Sequence, residues 1–199
     1  MISNKLIIIL GILLLAVSGC STQTDVAGNQ TDNGTGQQME SKIASIQDLV
    51  LTSEDLEELG MSVPGDKDCT IEQYEASEYS PLIEYGFCNY TIDDHPGTEL
   101  IIELKKFTNK NDLDGSYQYE SSHLLGAKGI LSENTYGDQS KLHVNNEDDY
   151  GADMNPDGVY YYHLWITKDL YYIHITSKGI ESDKEYIEDI ADKMMDKFE

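Results

Sequence analysis

Two adjacent stretches near the C-terminus, both rich in aromatic and β-branched residues, constrain the fold more than any other part of the chain. They run from Val159 to Thr167 and from Leu170 to Ser177. Such composition is typical of strands, and the short polar interruption at Lys168-Asp169 predicts an antiparallel hairpin with a two-residue loop. In this register Thr167 pairs with Leu170.

The predicted hairpin brings four candidate ligand-binding side chains to one face. His163 opposes His174, and Trp165 opposes Tyr172. Opposed residues have Cβ atoms about 4.5–5.5 Å apart, which is close enough for two imidazoles to share a metal ion. Two other interpretations stay open, namely a groove for an aromatic ligand and plain packing beneath a helix.

The remaining patterns complete an α+β domain with a mostly antiparallel sheet, flanking helices and a C-terminal amphipathic helix. Ser182 and Glu185 predict the start of that last helix through a capping box. One apolar face follows, made of Ile187, Ile190, Ala191, Met194 and Phe198. Earlier in the chain the predicted elements are a helix after Thr52, strands at 85–92 and 99–107 with a turn at Pro96-Gly97, a helix from Asn111 to Leu125, and short strands at 130–136 and 141–145.

The N-terminus has the pattern of an export signal. Leu6 to Val17 is almost entirely apolar, and about 12 helical residues span roughly 18 Å, too short for the roughly 30 Å hydrocarbon core of a bilayer. The next residues, Val17-Ser18-Gly19-Cys20, resemble the lipobox of prokaryotic lipoproteins. The resemblance implies a signal peptide over residues 1–19, a lipid on Cys20, and a cell-membrane location facing away from the cytoplasm.

The chain after Cys20 divides into a tether and one domain. Residues 20–42 are polar and rich in Gln, Thr, Asn and Gly, which predicts a flexible linker, and residues 43–199 have the length of a single domain. Apart from Cys20, the cysteines are Cys69 and Cys88. Outside the reducing cytosol these two are expected to form a disulfide, with two buried thiols as the alternative.

The charge balance limits the partners that such a domain can have. The 199-residue chain carries 13 basic against 37 acidic residues, a formal net charge of -24, and all of its basic residues are lysine. This excludes a nucleic-acid binder, which needs a basic surface. The lack of arginine disfavours phosphate and carboxylate substrates. The partners that remain are the membrane through its lipid, a protein surface, a neutral ligand or a cation.

One acidic segment resembles the start of a calcium-binding loop. Asp153, Asn155 and Asp157 occupy alternate positions and Gly158 follows them, a spacing that can bring oxygen ligands to one Ca²⁺ ion. The twelfth position is Leu164 instead of the usual glutamate. A turn stabilised by its own Asp and Asn side chains is the alternative.

No catalytic motif is present, so the sequence predicts a protein without enzymatic activity. The chain has neither a Gly-x-Ser-x-Gly elbow nor a His-Glu-x-x-His pair. In element order the domain resembles PsbP-like sandwiches and extracytoplasmic lipoprotein sensor domains, which implies a binding or assembly role. The leading hypothesis is a membrane-anchored module for a protein partner. A ligand-binding or calcium-binding lipoprotein and an enzyme with an unrecognised site are the alternatives.

Overall fold

A computed structural model describes residues 43–63, 69–77, 80–122, 129–145 and 157–199. All of these residues belong to one compact unit that spans residues 39–199. The predicted signal peptide, the lipobox, Cys20 and the linker lie outside the described residues. Within the described ranges, no helix is long and apolar enough to cross a lipid bilayer.

An eight-stranded antiparallel sheet dominates the described part of the chain and confirms the predicted α+β class. The strands are β1 (Met61–Ser62), β2 (Cys69–Gln73), β3 (Leu82–Ile92), β4 (His95–Phe107), β5 (Ile130–Glu133), β6 (Gln139–Asn145), β7 (Tyr160–Lys168) and β8 (Tyr171–Gly179). Their order across the sheet is β1-β3-β4-β8-β7-β6-β5, and β2 pairs with β3 beside this path. The C-terminal hairpin β7–β8 therefore lies in the middle of the sheet.

Three α-helices and one 3-10 helix accompany the sheet in the described ranges. They are the 3-10 helix Ile46–Leu49, α1 (Ser53–Glu58), α2 (Lys110–Glu120) and α3 (Asp183–Asp196). The predicted apolar face of α3 is confirmed, since Ile187, Ile190, Ala191 and Met194 are fully buried. The 3-10 helix approaches the sheet closely at Gly86, where an added Cβ would stand 3.0 Å from Cδ1 of Ile46.

The sheet has two faces of different composition. One face carries a cross-strand row of Cys88, Ile102, Ile175, Leu164 and Leu142, and it packs with the 3-10 helix, α1 and α3 into the main core. We call this the core face. The opposite, outer face carries His143, His163, His174, Trp165 and Tyr172, because successive residues of a strand point to opposite sides.

The predicted hairpin is correct in its faces and wrong in its register. Lys168 pairs with Tyr171, so the loop is Asp169-Leu170, where Asp169 adopts a positive φ of 54°. Asp tolerates this left-handed conformation better than most residues. The register is shifted by two residues from the prediction, and a shift of two leaves every side chain on its predicted face.

Several other boundaries differ from the sequence predictions. Helix α2 begins after Asn109, whose side chain accepts a hydrogen bond from the amide of Asp112. The Ser182 side chain makes no capping hydrogen bond to α3. Pro96-Gly97 lies within β4, and the preceding turn is formed by Asp93-Asp94. The helix predicted after Thr52 is confirmed, and Thr52 forms a capping box with Asp55 at its start.

The predicted disulfide between Cys69 and Cys88 is present. The two residues are direct cross-strand partners on β2 and β3, and Cys88 is 1% exposed. The bridge therefore extends the central row of the core face and fastens β2 to the sheet.

Candidate functional site

Three parallel rows of side chains cross the outer face of the sheet. The first row contains Thr70, Phe87, Glu103, His174, Trp165 and Lys141, and the second contains Glu72, Tyr85, Lys105, Tyr172, Thr167 and Gln139. The third contains Asn89, Ile101, Thr176, His163 and His143. The four side chains that the sequence singled out all belong to these rows.

Exposure decreases along the first row from Phe87 to Trp165, and it rises again at Lys141, whose side chain is 16% exposed. Phe87 is 39% exposed, the side chains of Glu103 and His174 are 27% and 13% exposed, and Trp165 is 2% exposed. The outer face therefore has an accessible end on β2, β3 and β4 and a buried end on β7 and β8.

A chain of hydrogen bonds runs from the accessible end into the buried end. The Tyr85 hydroxyl donates to Oε1 of Glu103 (2.9 Å), and Oε2 of Glu103 contacts Nδ1 of His174 (3.0 Å). On the other side of that ring, Nε2 of His174 lies 3.2 Å from Nδ1 of His163 and 3.1 Å from Oγ1 of Thr176. Because a carboxylate only accepts, Nδ1 of His174 is the donor to Glu103.

The electrostatics of this network keep Glu103 ionised and His163 neutral. The hydrogen bond from His174 lowers the pKa of Glu103 to about 2. Burial, with the neighbouring His174 and His143 as smaller contributions, lowers the pKa of His163 to about 3. Burial also raises the pKa of the Tyr85 phenol, and its bond to Glu103 adds to the shift. The network thus combines one negative charge with a neutral imidazole at physiological pH.

Helix α2 closes the buried end of the outer face. Its Leu113 and Tyr117 pack with Phe107, Trp165 and Tyr172 into a second apolar cluster. The Tyr172 hydroxyl donates to Oε2 of Glu120 (2.7 Å). Lys105 donates to the other oxygen of that carboxylate (2.7 Å). Trp165 and Tyr172 are therefore core residues of this small cluster, as the packing interpretation expects.

The accessible end forms a mixed aromatic and acidic surface, which we call the open patch. It consists of Thr70, Glu72, Tyr85, Phe87, Asn89, Ile101 and Glu99, all exposed or half-buried. Tyr74 extends it, since its hydroxyl donates to Glu72 and its side chain is 43% exposed. Phe87 is the apolar centre of the open patch, and the exposed glutamates give the rim a negative charge.

Only one residue of the predicted calcium-binding loop lies within the described part of the chain. Asp153 and Asn155 lie outside the described residues, and Asp157 is exposed in a turn. Among the residues that the structure describes, no group of three or more His, Cys, Asp or Glu side chains is arranged to hold a metal ion. The calcium loop therefore stays a prediction.

Sequence reasoning missed the partners that strand order brings to the histidines. Glu103 reaches His174 because β4 pairs with β8, and His143 pairs with His163 because β6 pairs with β7. His143 is fully buried. Glu103 alternates with the buried Ile102 and Leu104 along β4, so a local pattern indicates its face, but nothing local in the sequence indicates which strand lies beside it.

Comparison with solved structures finds the extracellular domain of PknH from Mycobacterium tuberculosis, with 8% sequence identity and a TM-score of 0.45. The match covers 74% of this chain and 93% of that domain. No family model matches the chain, and no curated protein matches it. At this level of similarity, no function is transferred from that domain to this chain.

Proposed function

We propose that this chain is a lipid-anchored extracytoplasmic module that binds a protein partner through the open patch and performs no catalysis. The observation that carries the proposal is the exposure of Phe87, an aromatic side chain held at the surface on a central position of β3. Large aromatic residues are enriched where protein surfaces meet, because they offer apolar area with little loss of side-chain entropy.

The rim of the open patch favours a partner with basic side chains. Glu72 and Glu99 are exposed on either side of Phe87, and the chain as a whole carries a formal charge of -24. A complementary basic surface would be attracted over a distance of about one Debye length, so association should slow as salt is added. The partner we propose is therefore a protein with an apolar contact surrounded by Lys or Arg.

The anchor in this proposal rests on the sequence around Cys20. Signal-peptide cleavage before this residue and a diacylglyceryl group on its thiol would hold the mature protein on the outer side of the cytoplasmic membrane. Residues 20–42 would then act as a tether with a root-mean-square reach of about 25 Å. The similarity of the domain to PsbP-like and sensor-type lipoprotein domains also stays a prediction.

The anchor and the binding surface are tested separately. Mass spectrometry of the N-terminal peptide from the membrane fraction should find an acylated Cys20, and a Cys20→Ser variant should leave that fraction. An unmodified N-terminal peptide from wild-type membranes would refute the anchor.

Site-specific photo-crosslinking in the producing cells tests the binding surface. A benzophenone amino acid at position 89, beside Phe87, should give a discrete adduct with a second protein. The same probe at position 131 is a matched control, because Leu131 is also exposed, at 44%, but lies on edge strand β5. Adducts of equal yield at both positions, or none at position 89, would contradict the proposal.

A further inference from the structure

A recess lies at the edge of the sheet where the β3–β4 turn approaches the end of β8 and the start of α3. This His95 cleft has a volume of about 350 Å³, and its walls include His95, Pro96, Val159, Lys178, Gly179 and Ile180. The volume falls within the roughly 300–1,000 Å³ range of small-molecule sites. None of these residues belongs to the open patch.

A buried carboxylate orients the imidazole in the wall of this cleft. Asp183 is fully buried, and its Oδ1 lies 2.9 Å from Nδ1 of His95. Its Oδ2 accepts hydrogen bonds from the Thr98 hydroxyl (2.8 Å) and the Ile180 amide (2.8 Å). The bond to Ile180 closes the turn before α3, so this turn accounts for one oxygen. The other oxygen is hydrogen-bonded to His95, whose side chain is 27% exposed.

The backbone is shaped around this carboxylate. A Cβ added at Gly179 would stand 1.9 Å from Oδ2 of Asp183 and 2.2 Å from Oγ1 of Thr98. Any side chain at position 179 would therefore displace the group that holds His95. Gly179 therefore leaves the space that the Asp183 carboxylate occupies, and through it the position of the His95 imidazole is maintained.

The hydrogen bond to Asp183 determines whether Nε2 of His95 donates or accepts a hydrogen bond. When the imidazole is neutral, its single proton lies on Nδ1 and is donated to the carboxylate, so Nε2 is a hydrogen-bond acceptor. An O–H or N–H group of a ligand can satisfy such an acceptor, whereas a carboxylate cannot.

The remaining walls favour an uncharged molecule. Pro96, Val159 and Ile180 are apolar, and Ile180 is 45% exposed at the surface. The Lys178 ammonium lies 3.9 Å from a carboxylate oxygen of Glu99, so an anionic ligand would compete with that carboxylate. A ligand with an apolar part would pack against these walls, and a single N–H or O–H group of the ligand would donate a hydrogen bond to Nε2 of His95.

We propose that the His95 cleft binds a small uncharged organic molecule, with its apolar part against Pro96, Val159 and Ile180 and with a hydroxyl or amide N–H donated to Nε2 of His95. The proposal does not depend on the open patch, and either can fail without the other.

Ligand-observed NMR with named probes tests this inference. The mature lipidated protein in nanodiscs is titrated above pH 8 with benzamide, methyl benzoate and benzoate, and empty nanodiscs supply the blank. Benzamide has an apolar ring and N–H donors, methyl benzoate lacks the donor, and benzoate carries a negative charge. Benzamide should bind at millimolar concentration at least about tenfold more tightly than the other two, as expected for one lost buried hydrogen bond.

Single substitutions show whether benzamide binds in the His95 cleft, and a matched surface substitution controls for effects on folding. Ile180→Glu should abolish benzamide binding, while Leu131→Glu, at a position of nearly equal exposure, should leave it unchanged. His95→Ala should weaken benzamide to the level of methyl benzoate. No benzamide binding to the wild type, equal binding of benzamide and methyl benzoate, or full binding by Ile180→Glu would overturn the proposal.

Discussion

The two faces of the sheet share every central strand but use their side chains for different purposes. The core face is mostly aliphatic, and its row from Cys88 to Leu142 is buried beneath α1, α3 and the 3-10 helix. Its buried aromatic residues are Tyr90, Tyr162 and Tyr171. The outer face is aromatic, polar and hydrogen-bonded, and it grades from a buried end under α2 to the open patch at Phe87. The comparison teaches that stability is concentrated on one face, which leaves part of the other available for recognition.

The largest expected effect is on the core face. Ile173 is fully buried in the middle of β8, so Ile173→Ala should lower the free energy of unfolding by about 2–5 kcal/mol through lost burial and a cavity. Thr176→Ala, on the outer face of the same strand, should cost no more than about 1.5 kcal/mol. Denaturant unfolding compares the two, and equal losses would contradict the division between the faces.

The disulfide should give the next largest effect. The two cysteines are 19 residues apart, and a loop of this size is expected to contribute about 3 kcal/mol through the unfolded state. The double variant Cys69→Ser/Cys88→Ser should lose about that much in denaturant unfolding. A Cys20→Ser control should lose nothing, and an unchanged double variant would mean that the bridge does not constrain the unfolded chain.

Acid should destabilise the outer face through His163. Its folded-state pKa is about 3, against an ordinary value of 6.5, so only the unfolded chain takes up the proton between these values. The free energy of unfolding should therefore fall as the pH drops from about 6.5 towards about 3. Glu103, whose pKa is lowered from 4.5 to about 2, adds a loss in the same direction below pH 4.5.

The variant His163→Asn removes the titrating ring and keeps an N–H near the Nδ1 position. Between pH 7 and pH 5 it should lose about 1–2 kcal/mol less stability than the wild type, measured by denaturant unfolding at each pH. An identical pH dependence in the two proteins would show that His163 is not the acid-sensitive group.

A smaller effect is expected at the accessible end of the hydrogen-bond network. Tyr85→Phe removes the hydroxyl that donates to Glu103, which should cost about 0.5–1.5 kcal/mol. It should also raise the pKa of Glu103, because that hydrogen bond favours the ionised carboxylate. Thermal unfolding and carboxyl-resolved NMR titration measure the two consequences, and a lowered Glu103 pKa would contradict the network.

The sequence predicted what depends on local pattern. Period-two alternation placed His163, Trp165, Tyr172 and His174 on one face, and this survives the register error because the shift is an even number of residues. The apolar spacing of α3 identified its buried face for the same reason. The disulfide followed from cysteine number and compartment.

The features that could not be predicted from the sequence depend on contacts between distant strands. The partnership of Glu103 with His174 requires β4 to lie beside β8, and the orientation of His95 by Asp183 joins residues 88 positions apart. The loop register was missed because it depends on the conformation of one residue, Asp169. Exposure of Phe87 follows from how far α2 extends over the sheet, which no local pattern encodes.

The Phe87→Ser variant tests the division between the faces most directly, by combining unfolding with crosslinking from position 89. Because Phe87 is 39% exposed, the free energy of unfolding should change by no more than about 0.5–1 kcal/mol. The adduct with the partner protein should disappear. A folded variant that keeps the full crosslinking yield would contradict a binding role for the outer face, as would a loss of several kcal/mol in stability.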